Sequence, residues 1–400
     1  MTTYPDLLKG GKHAPGLVPG NPGTSRLFTE IQGPDPSMPK EGDPLTVAEI
    51  QLFERWIQEG ARDDTPAEVT APALPPIYAG PPVLTDLAWS PDGTVLAIAS
   101  YREILLYNAV DWTLKARLAG RATRIESLAF SPDGKRLAAA AGIPGVFGEV
   151  QVWNPSDGTL VASWKVSRDS IYGLHWSPTC DRVCFGGADK SVRILDATTG
   201  HELVHFEQSM DWVFGAVFLN DGLRVASGSR DRSMKLIDAS HGALLDIINR
   251  DTEPVVKIEK HPKEDWVIFA GAEYRPRLYK ALVKTNNLDP GSDPNFIREF
   301  DGFENGMTAL AFNADGHWLA TAGRPAGEIR VNDVTNSQRK ATLRNHEGVV
   351  YGLAFSPNGE WLATAGFEGV VRIFAWEKER LSVIFNPVPP ESRWVSRNGR

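Results

Sequence analysis

The sequence predicts an all-β chain, a seven-bladed β-propeller with a short helical N-terminal extension, on three observations. The first is a repeat. LAWSPDG (Leu87–Gly93) returns as LAFSPDG (Leu128–Gly134), LHWSPTC (Leu174–Cys180), AVFLNDG (Ala216–Gly222), LAFNADG (Leu310–Gly316) and LAFSPNG (Leu353–Gly359), with KIEKHPKED (Lys257–Asp265) as a diverged copy. Its aromatic landmark (Trp89, Phe130, Trp176, Phe218, then Lys260, Phe312 and Phe355) advances in steps of 41, 46, 42, 42, 52 and 43 residues, the period of four-stranded propeller blades. The second is the content of each copy. Pro-Asp-Gly presets a turn, an apolar strand such as VLAIAS or WLATAG follows, then a polar turn and an alternating strand such as SVRILD or SMKLID. A fourth strand such as ELVHF or ERLSVIF ends the unit. The third is composition: 37 Gly and 29 Pro suit many short strands joined by tight turns, and an apolar share of 42% supplies a core. Seven such sheets close radially and leave no long open edge.

The rest of the composition narrows the function classes. The net charge of −8 argues against a general nucleic-acid binder, which shows a basic excess. No apolar run reaches the roughly 18 residues of a membrane span. The start, MTTYPDLLKGGKH, lacks a basic-then-apolar signal pattern, so taken literally it predicts a cytoplasmic chain. Cys180 and Cys184 fall in a turn and the following strand, a placement that excludes a disulfide scaffold.

Residues 1–82 read differently. Pro- and Gly-rich stretches surround two helical pieces, Ser25–Ile31 and Val47–Glu59. For the second, Thr46 caps, Glu49 completes a capping box, and Leu45 staples onto Ile50. Ile50, Phe53, Trp56 and Ile57 form an apolar stripe, and Gly60 supplies the stop. The expected organisation is a helical segment over 1–64, a Pro-rich linker over 65–82, the propeller over 83–388 and a polar tail over 389–400.

The repeats resemble the WD-repeat family over roughly three quarters of the chain. They depart from its pattern: the Trp-Asp pair stands as Trp153-Asn154, Leu195-Asp196, Ile237-Asp238 and Asn332-Asp333. A His for the family's buried hydrogen-bond tetrad is offered only by His346, and the turn Asp by Asp189 and Asp231, with Glu368 in its place in the last blade. These blades are therefore expected to rely on apolar packing more than on polar networks.

The string LVPGNPGTSRLFTEIQGPDPSMPKEGDPLTVAEIQLFERWIQEGA is similar to the latter half of the planctomycete-type cytochrome c domain. SYREILLYN, GIPGVFGEVQVWN, ADKSVRILD and MDWVFGAVF resemble blades of bacterial proteins that join that domain to WD repeats. The resemblance implies a haem-attachment Cys-x-x-Cys-His preceding this segment, with Met38 as the distal axial ligand. It also implies an exported parent. No Cys-x-x-Cys-His occurs in the sequence, so a covalently held haem c has no anchor here and no cofactor is expected of the chain as written. Two readings stand: a longer parent protein carries the haem-bearing half, or the segment is a degenerate remnant. His13, alone in a Gly-rich loop, is expected to be solvated.

Nothing in the sequence supports an enzyme. His201 and His205, the close histidine pair, lie roughly 13 Å apart along a strand, too far for one metal. There is no nucleophile elbow, P-loop or HExxH pattern, and Asp63-Asp64 falls in linker. The expected function is a non-catalytic protein–protein interaction scaffold. The rival reading is a truncated form of a c-type cytochrome/WD-repeat electron-transfer protein.

In WD-repeat propellers, the turns between second and third strands and the loops leading into first strands line one face. Here those turns carry Arg102, Lys190, Arg230, Arg232, Arg275, Arg277 and Arg324, and the leading loops add Arg124. Fewer acids share these positions: Glu103, Asp189, Asp231, Glu273 and Glu368. Tyr101, Tyr172, Trp212 and Tyr274 join them, with Phe147 on a longer loop. Arg and aromatics together make binding hot spots, so an acidic protein partner is expected at this face. The N-terminal 82 residues hold 11 acids against 6 Lys and Arg, net −5, and are themselves a candidate for intramolecular docking. The fifth blade's insertion, Val283–Asn295, is expected to project from the opposite face.

Overall fold

The computed structural model describes residues 7–8, 10, 15–33, 36–39, 43–62, 78, 80–247, 254–271, 275–284, 293–324 and 327–388. The chain divides into two compact units, residues 1–70 and 71–400. His13, Asp63, Asp64, Glu273, Tyr274, most of the fifth-blade insertion and the 389–400 tail lie outside the described residues.

In the first unit, helix α1 (Arg26–Ile31) and helix α2 (Val47–Gln58) form where the sequence signals place them. Thr46 Oγ1 accepts from the Glu49 N–H while the Glu49 carboxylate accepts from the Thr46 N–H, closing the capping box. The Thr46 hydroxyl, donating to that carboxylate at 2.7 Å, and the Thr46 N–H hold the Glu49 carboxyl below its ordinary range. Ile57 is fully buried with Leu17, Phe28, Ile31 and Ala61, and Leu45, Ile50, Phe53 and Trp56 pack around them.

The second unit is a ring of seven antiparallel four-stranded sheets, each built from contiguous chain. Blade 1 holds β1 (Asp86–Trp89), β2 (Val95–Ala99), β3 (Glu103–Asn108) and β4 (Leu114–Ala119). Blade 2 holds β5 (Arg124–Phe130), β6 (Leu137–Ile143), β7 (Phe147–Trp153) and β8 (Leu160–Ser167). Blade 3 holds β9 (Ile171–Trp176), β10 (Arg182–Gly187), β11 (Val192–Asp196) and β12 (Glu202–Phe206). Blade 4 holds β13 (Val213–Phe218), β14 (Arg224–Ser229), β15 (Met234–Asp238) and β16 (Leu244–Ile247). Blade 5 holds β17 (Val255–Lys260), β18 (Trp266–Gly271), β19 (Arg277–Lys280) and β20 (Phe296–Glu299). Blade 6 holds β21 (Met307–Phe312), β22 (Trp318–Gly323), β23 (Ile329–Asp333) and β24 (Arg339–Leu343). Blade 7 holds β25 (Val350–Phe355), β26 (Trp361–Gly366), β27 (Val371–Ala375) and β28 (Arg380–Phe385).

The second strands are buried throughout or but for one end residue, because both of their faces meet a neighbouring blade. Seven separate apolar clusters result, one at each blade–blade interface. Ring closure uses the same packing: Leu84, Leu96, Ile98 and Leu105 meet Ala363, Ala365, Val371 and Ile373. Trp89 Nε1 donates to the Ala354 carbonyl at 3.1 Å across that seam.

In blades 1, 2, 3, 6 and 7 one side chain holds the first turn. Ser90, Ser131, Ser177 and Ser356 accept through Oγ from the N–H five residues on, and Asn313 does so through its amide oxygen. In the diverged fifth copy the His261 Nδ1 takes this part, accepting from the Glu264 N–H at 2.9 Å. Arg136 and Arg182, which follow these turns, reach into the next blade. Arg182 donates to the Gly222 carbonyl at 2.7 Å and lies over the Phe218 ring.

Polar pairs in three blades stand beside this apolar packing. The turn acid is paired with a buried cation four residues on, Asp189 with Arg193 at 2.7 Å and Asp231 with Lys235 at 2.7 Å. Glu368 pairs likewise with Arg372, and His346 bonds Thr364 Oγ1 at 2.8 Å. Burial, with Arg372 beside it, pushes His346 down to about 4, so it is neutral at physiological pH.

Candidate functional site

The strands run so that turns between second and third strands share one face with the loops joining blades; we call it the upper face. The inner strands β1, β5, β9, β13, β17, β21 and β25 start there and surround the axis. A cavity of about 700 Å³ opens at this point. Each inner strand contributes the residue four before its aromatic landmark: Thr85, Glu126, Tyr172, Phe214, Val256, Thr308 and Tyr351. Tyr101 and Phe367, 46% and 62% exposed, stand at its mouth. Beneath it, a narrower space of about 130 Å³ is lined in part by Asp86, His175, Lys257 and Glu259.

Glycines let the inner strands converge. A Cβ on Gly173 would sit 2.5 Å from the Gly215 Cα, and Gly173 itself has φ +36°. Thr308 Oγ1 donates to the Val350 carbonyl at 2.6 Å, stitching adjacent inner strands together.

The electrostatics of this axis are mixed. Arg124 pairs with Glu126 at 2.9 Å. Burial raises the Glu126 carboxyl, opposed by Arg124 and Lys257. Glu259 is pushed up to about 7 by burial, with Lys257 pulling the other way. His175 is pushed down to about 3 by burial, and its Nδ1 makes no hydrogen bond among the described residues. Tyr172 is raised by burial and by the nearby Glu126 and Asp169.

The raised Glu259 carboxyl makes stability depend on pH. A carboxyl whose folded pKa of about 7 exceeds its unfolded value near 4.5 binds more protons folded than unfolded between those values. Its contribution is therefore complete below pH 4.5 and is lost as pH rises through 7. Glu259→Gln is expected to raise the melting temperature at pH 8 by roughly 2–4 °C and to leave it nearly unchanged at pH 4. Thermal melts at the two pH values check this.

The expected upper-face residues divide into groups. Arg124 and Tyr172 line the axial cavity. Tyr172, Trp212 and Phe214 form an aromatic cluster with ring centroids 5.5–6.5 Å apart, and Arg230 lies over Trp212 at 5.5 Å. Arg102 lies over Tyr101 at 5.4 Å. Arg102, Lys190 and Arg232 all occupy the left-handed position of their turns, with φ of 73°, 70° and 73°. Lys190, Arg232 and Arg324 are exposed.

Other cations of this face are paired within it: Arg230 with Asp211 at 3.7 Å, and both Arg275 and Arg277 with Glu299. The sign reversal read from the sequence is correspondingly smaller. Phe147 is corrected: β6 runs on to pair Ile143 with Phe147, so the ring opens β7 and is 5% exposed instead of riding a loop. Glu103 is fully buried in β3, paired with Arg117 at 2.6 Å and bonded by the Tyr78 hydroxyl at 2.7 Å. Met38 is 42% exposed in the first unit, and residues 1–82 contain no cysteine; they do not fit a covalently attached haem.

Sequence reasoning missed Phe214, Lys257 and Tyr351. Their signal was present: each lies three or four residues before a landmark already aligned.

Comparison with known proteins agrees with this architecture. The family described as WD domain, G-beta repeat matches residues 200–238, 294–326 and 337–375, and the anaphase-promoting complex subunit 4 WD40 domain matches residues 87–179. WD repeat and HMG-box DNA-binding protein 1 of Mus musculus is 29% identical over 114 residues, 28% of this chain and 10% of that protein. Intraflagellar transport protein 122 homolog of Xenopus tropicalis is 40% identical over 70 residues, 18% of this chain and 6% of that protein. The matched stretches thus span a tenth or less of these relatives.

Proposed function

We propose that this chain, whose WD repeats close into a seven-bladed propeller, is a non-catalytic scaffold that offers its upper face to an acidic protein partner. The observation that carries the reading is the axial cavity. Seven inner strands meet at one opening with exposed Tyr101 and Phe367 in its lining; Trp212 packs on the lining residues Tyr172 and Phe214, Arg102 and Arg230 lie over Tyr101 and Trp212, and Lys190, Arg232 and Arg324 stand exposed on turns of the same face. Rigid aromatics beside cations are what a central anchor of an interface requires. Cations at the rim steer an acidic partner and make its association salt-dependent.

The test uses the full chain. Partners captured from its native source are located by cross-linking, and capture is repeated with Trp212→Ala and with the double change Arg230→Glu, Arg232→Glu. Loss of capture and a flattened salt dependence are expected. Unchanged capture by both variants would remove the upper face from the proposal.

A second reading keeps the first unit as the latter part of a c-type cytochrome in a longer electron-transfer protein. It is favoured by the apolar core that α1 and α2 share, which is more than a linker needs. An in-frame Cys-x-x-Cys-His in the DNA upstream of Met1, together with a haem absorbance spectrum of the native protein, supports it. A native protein without haem sinks it.

A further inference from the structure

The seam between blades 7 and 1 is crossed by chain that belongs to neither sheet: Tyr78 and residues 80–84, which precede β1. On the blade 7 side, the Leu84 N–H donates to the Gly366 carbonyl at 3.0 Å. Pro81 lies so close to Gly369 that a Cβ added there would be 2.5 Å from the Pro81 Cβ. On the blade 1 side, Tyr78 is 7% exposed, and its hydroxyl donates to the Glu103 carboxylate at 2.7 Å, beside the Tyr101 carbonyl. Leu84 is fully buried in the apolar cluster that the two blades share. The segment therefore bridges the turn after β26 and the turn before β3, and Phe367 and Tyr101 of those turns stand at the mouth of the axial cavity.

Its attachment differs in kind from that of a strand. Two of its residues are prolines, which have no N–H to donate. From Tyr78 to Val83, no described residue makes a backbone–backbone hydrogen bond. Buried side chains hold it instead, those of Tyr78, Pro82 and Leu84. It can leave its seat without breaking a sheet. Glu103 does not depend on it either: Arg117 donates to that carboxylate through Nε at 2.7 Å and Nη2 at 2.6 Å, so the charge stays paired when the phenol departs. Burial, with the Glu103 charge beside it, pushes the Tyr78 hydroxyl up, so it is a donor whenever it is seated. Segments with few backbone bonds and few apolar anchors open at lower free energy than the sheets they lie on.

We propose that Tyr78 and residues 80–84 form a releasable strap over the closing seam of the ring. Seated, it ties the upper ends of blades 1 and 7 together and supplies Tyr78, Pro82 and Val83 to the cavity wall. Unseated, it leaves the first and last blades held by the rest of their apolar cluster and the Trp89 indole, with a wider cavity between Tyr101 and Phe367. No partner is involved, so the strap and the scaffold reading stand or fall separately.

Hydrogen–deuterium exchange of the full chain, followed at single amides by NMR, tests the strap. In the unaltered protein the Leu84 amide is expected to exchange at least about tenfold faster than the amides of β2, which open only with their sheet. Equal protection at the two places would mean that the segment does not release by itself, and overturns the proposal. Tyr78→Phe keeps the ring and removes one hydrogen bond to a charged group. It is expected to speed exchange at Leu84 and in the turn after β26 by about tenfold, while blades 3 to 5 stay within about twofold. Tyr78→Ala should do the same more strongly. Acceleration spread evenly over all seven blades, or none at the seam, overturns the proposal. Should Tyr78→Ala fail to fold, the unaltered protein and Tyr78→Phe decide the outcome.

Discussion

Lys235→Ala is expected to destabilise the propeller by about 3–5 kcal/mol, because it strands a buried charge. Lys235 is 5% exposed, and its ammonium lies 2.7 Å from Asp231 Oδ2, with both side chains 7% exposed. Burial works against the Asp231 charge, but Lys235, Ser233 and the Met210 N–H outweigh it and hold the carboxyl below its ordinary range. Removing the lysine leaves the burial and takes away the largest compensation. The double change Asp231→Asn, Lys235→Met removes both charges in similar volumes and should recover much of the loss, although the single amide oxygen can accept from only one of the Met210 and Ser233 N–H groups, which bond different carboxylate oxygens. Urea denaturation of the two variants decides the matter. A single variant within about 1 kcal/mol of the parent would mean that the pair carries little.

Trp176→Ala is expected to cost about 3–5 kcal/mol by a different route, an empty volume between blades 2 and 3. The ring is 2% exposed within the cluster formed by Val150, Val152, Ile171, Leu174 and Phe185. Its Nε1 donates to the Ala129 carbonyl of blade 2 at 2.9 Å, and the Arg136 guanidinium covers it at 4.5 Å. One substitution therefore loses apolar contact, an inter-blade hydrogen bond and a cation–π contact together. Trp176→Phe should lose less, since the apolar body remains. Trp212→Ala, at a site 39% exposed, should change stability by under about 1 kcal/mol. Equal losses at Trp176 and Trp212 in the same denaturation series would contradict this assignment.

These two sites also show where the sequence was legible. Trp176 stands at the repeated aromatic landmark, so its place in an inner strand follows from period and turn chemistry alone. The capping box at Thr46 and Glu49 is legible for the same reason: a local signal predicts a local bond. Lys235 was not legible as a buried residue, because its four-residue spacing from Asp231 crosses a turn, and a turn-and-strand geometry decides whether the two ends meet. Phe147 was misplaced because the Pro-Gly pair before it suggests a long loop, whereas the hairpin continues until Ile143 faces Phe147. The axial wall lay within reach. Tyr172, Phe214 and Tyr351 share one offset from the landmark, whereas the cations conspicuous in the turns are partly paired with Glu126, Asp211 and Glu299.

Each sheet is finished before the chain leaves it, so the first and last blades meet chiefly through side chains and share no strand. The backbone thus treats its own termini as an accident of where reading begins. A gene rearranged to start at another inter-blade loop, with the old ends joined, would still encode seven whole sheets. For the same reason whole-blade duplication is a natural route by which such a ring could have grown.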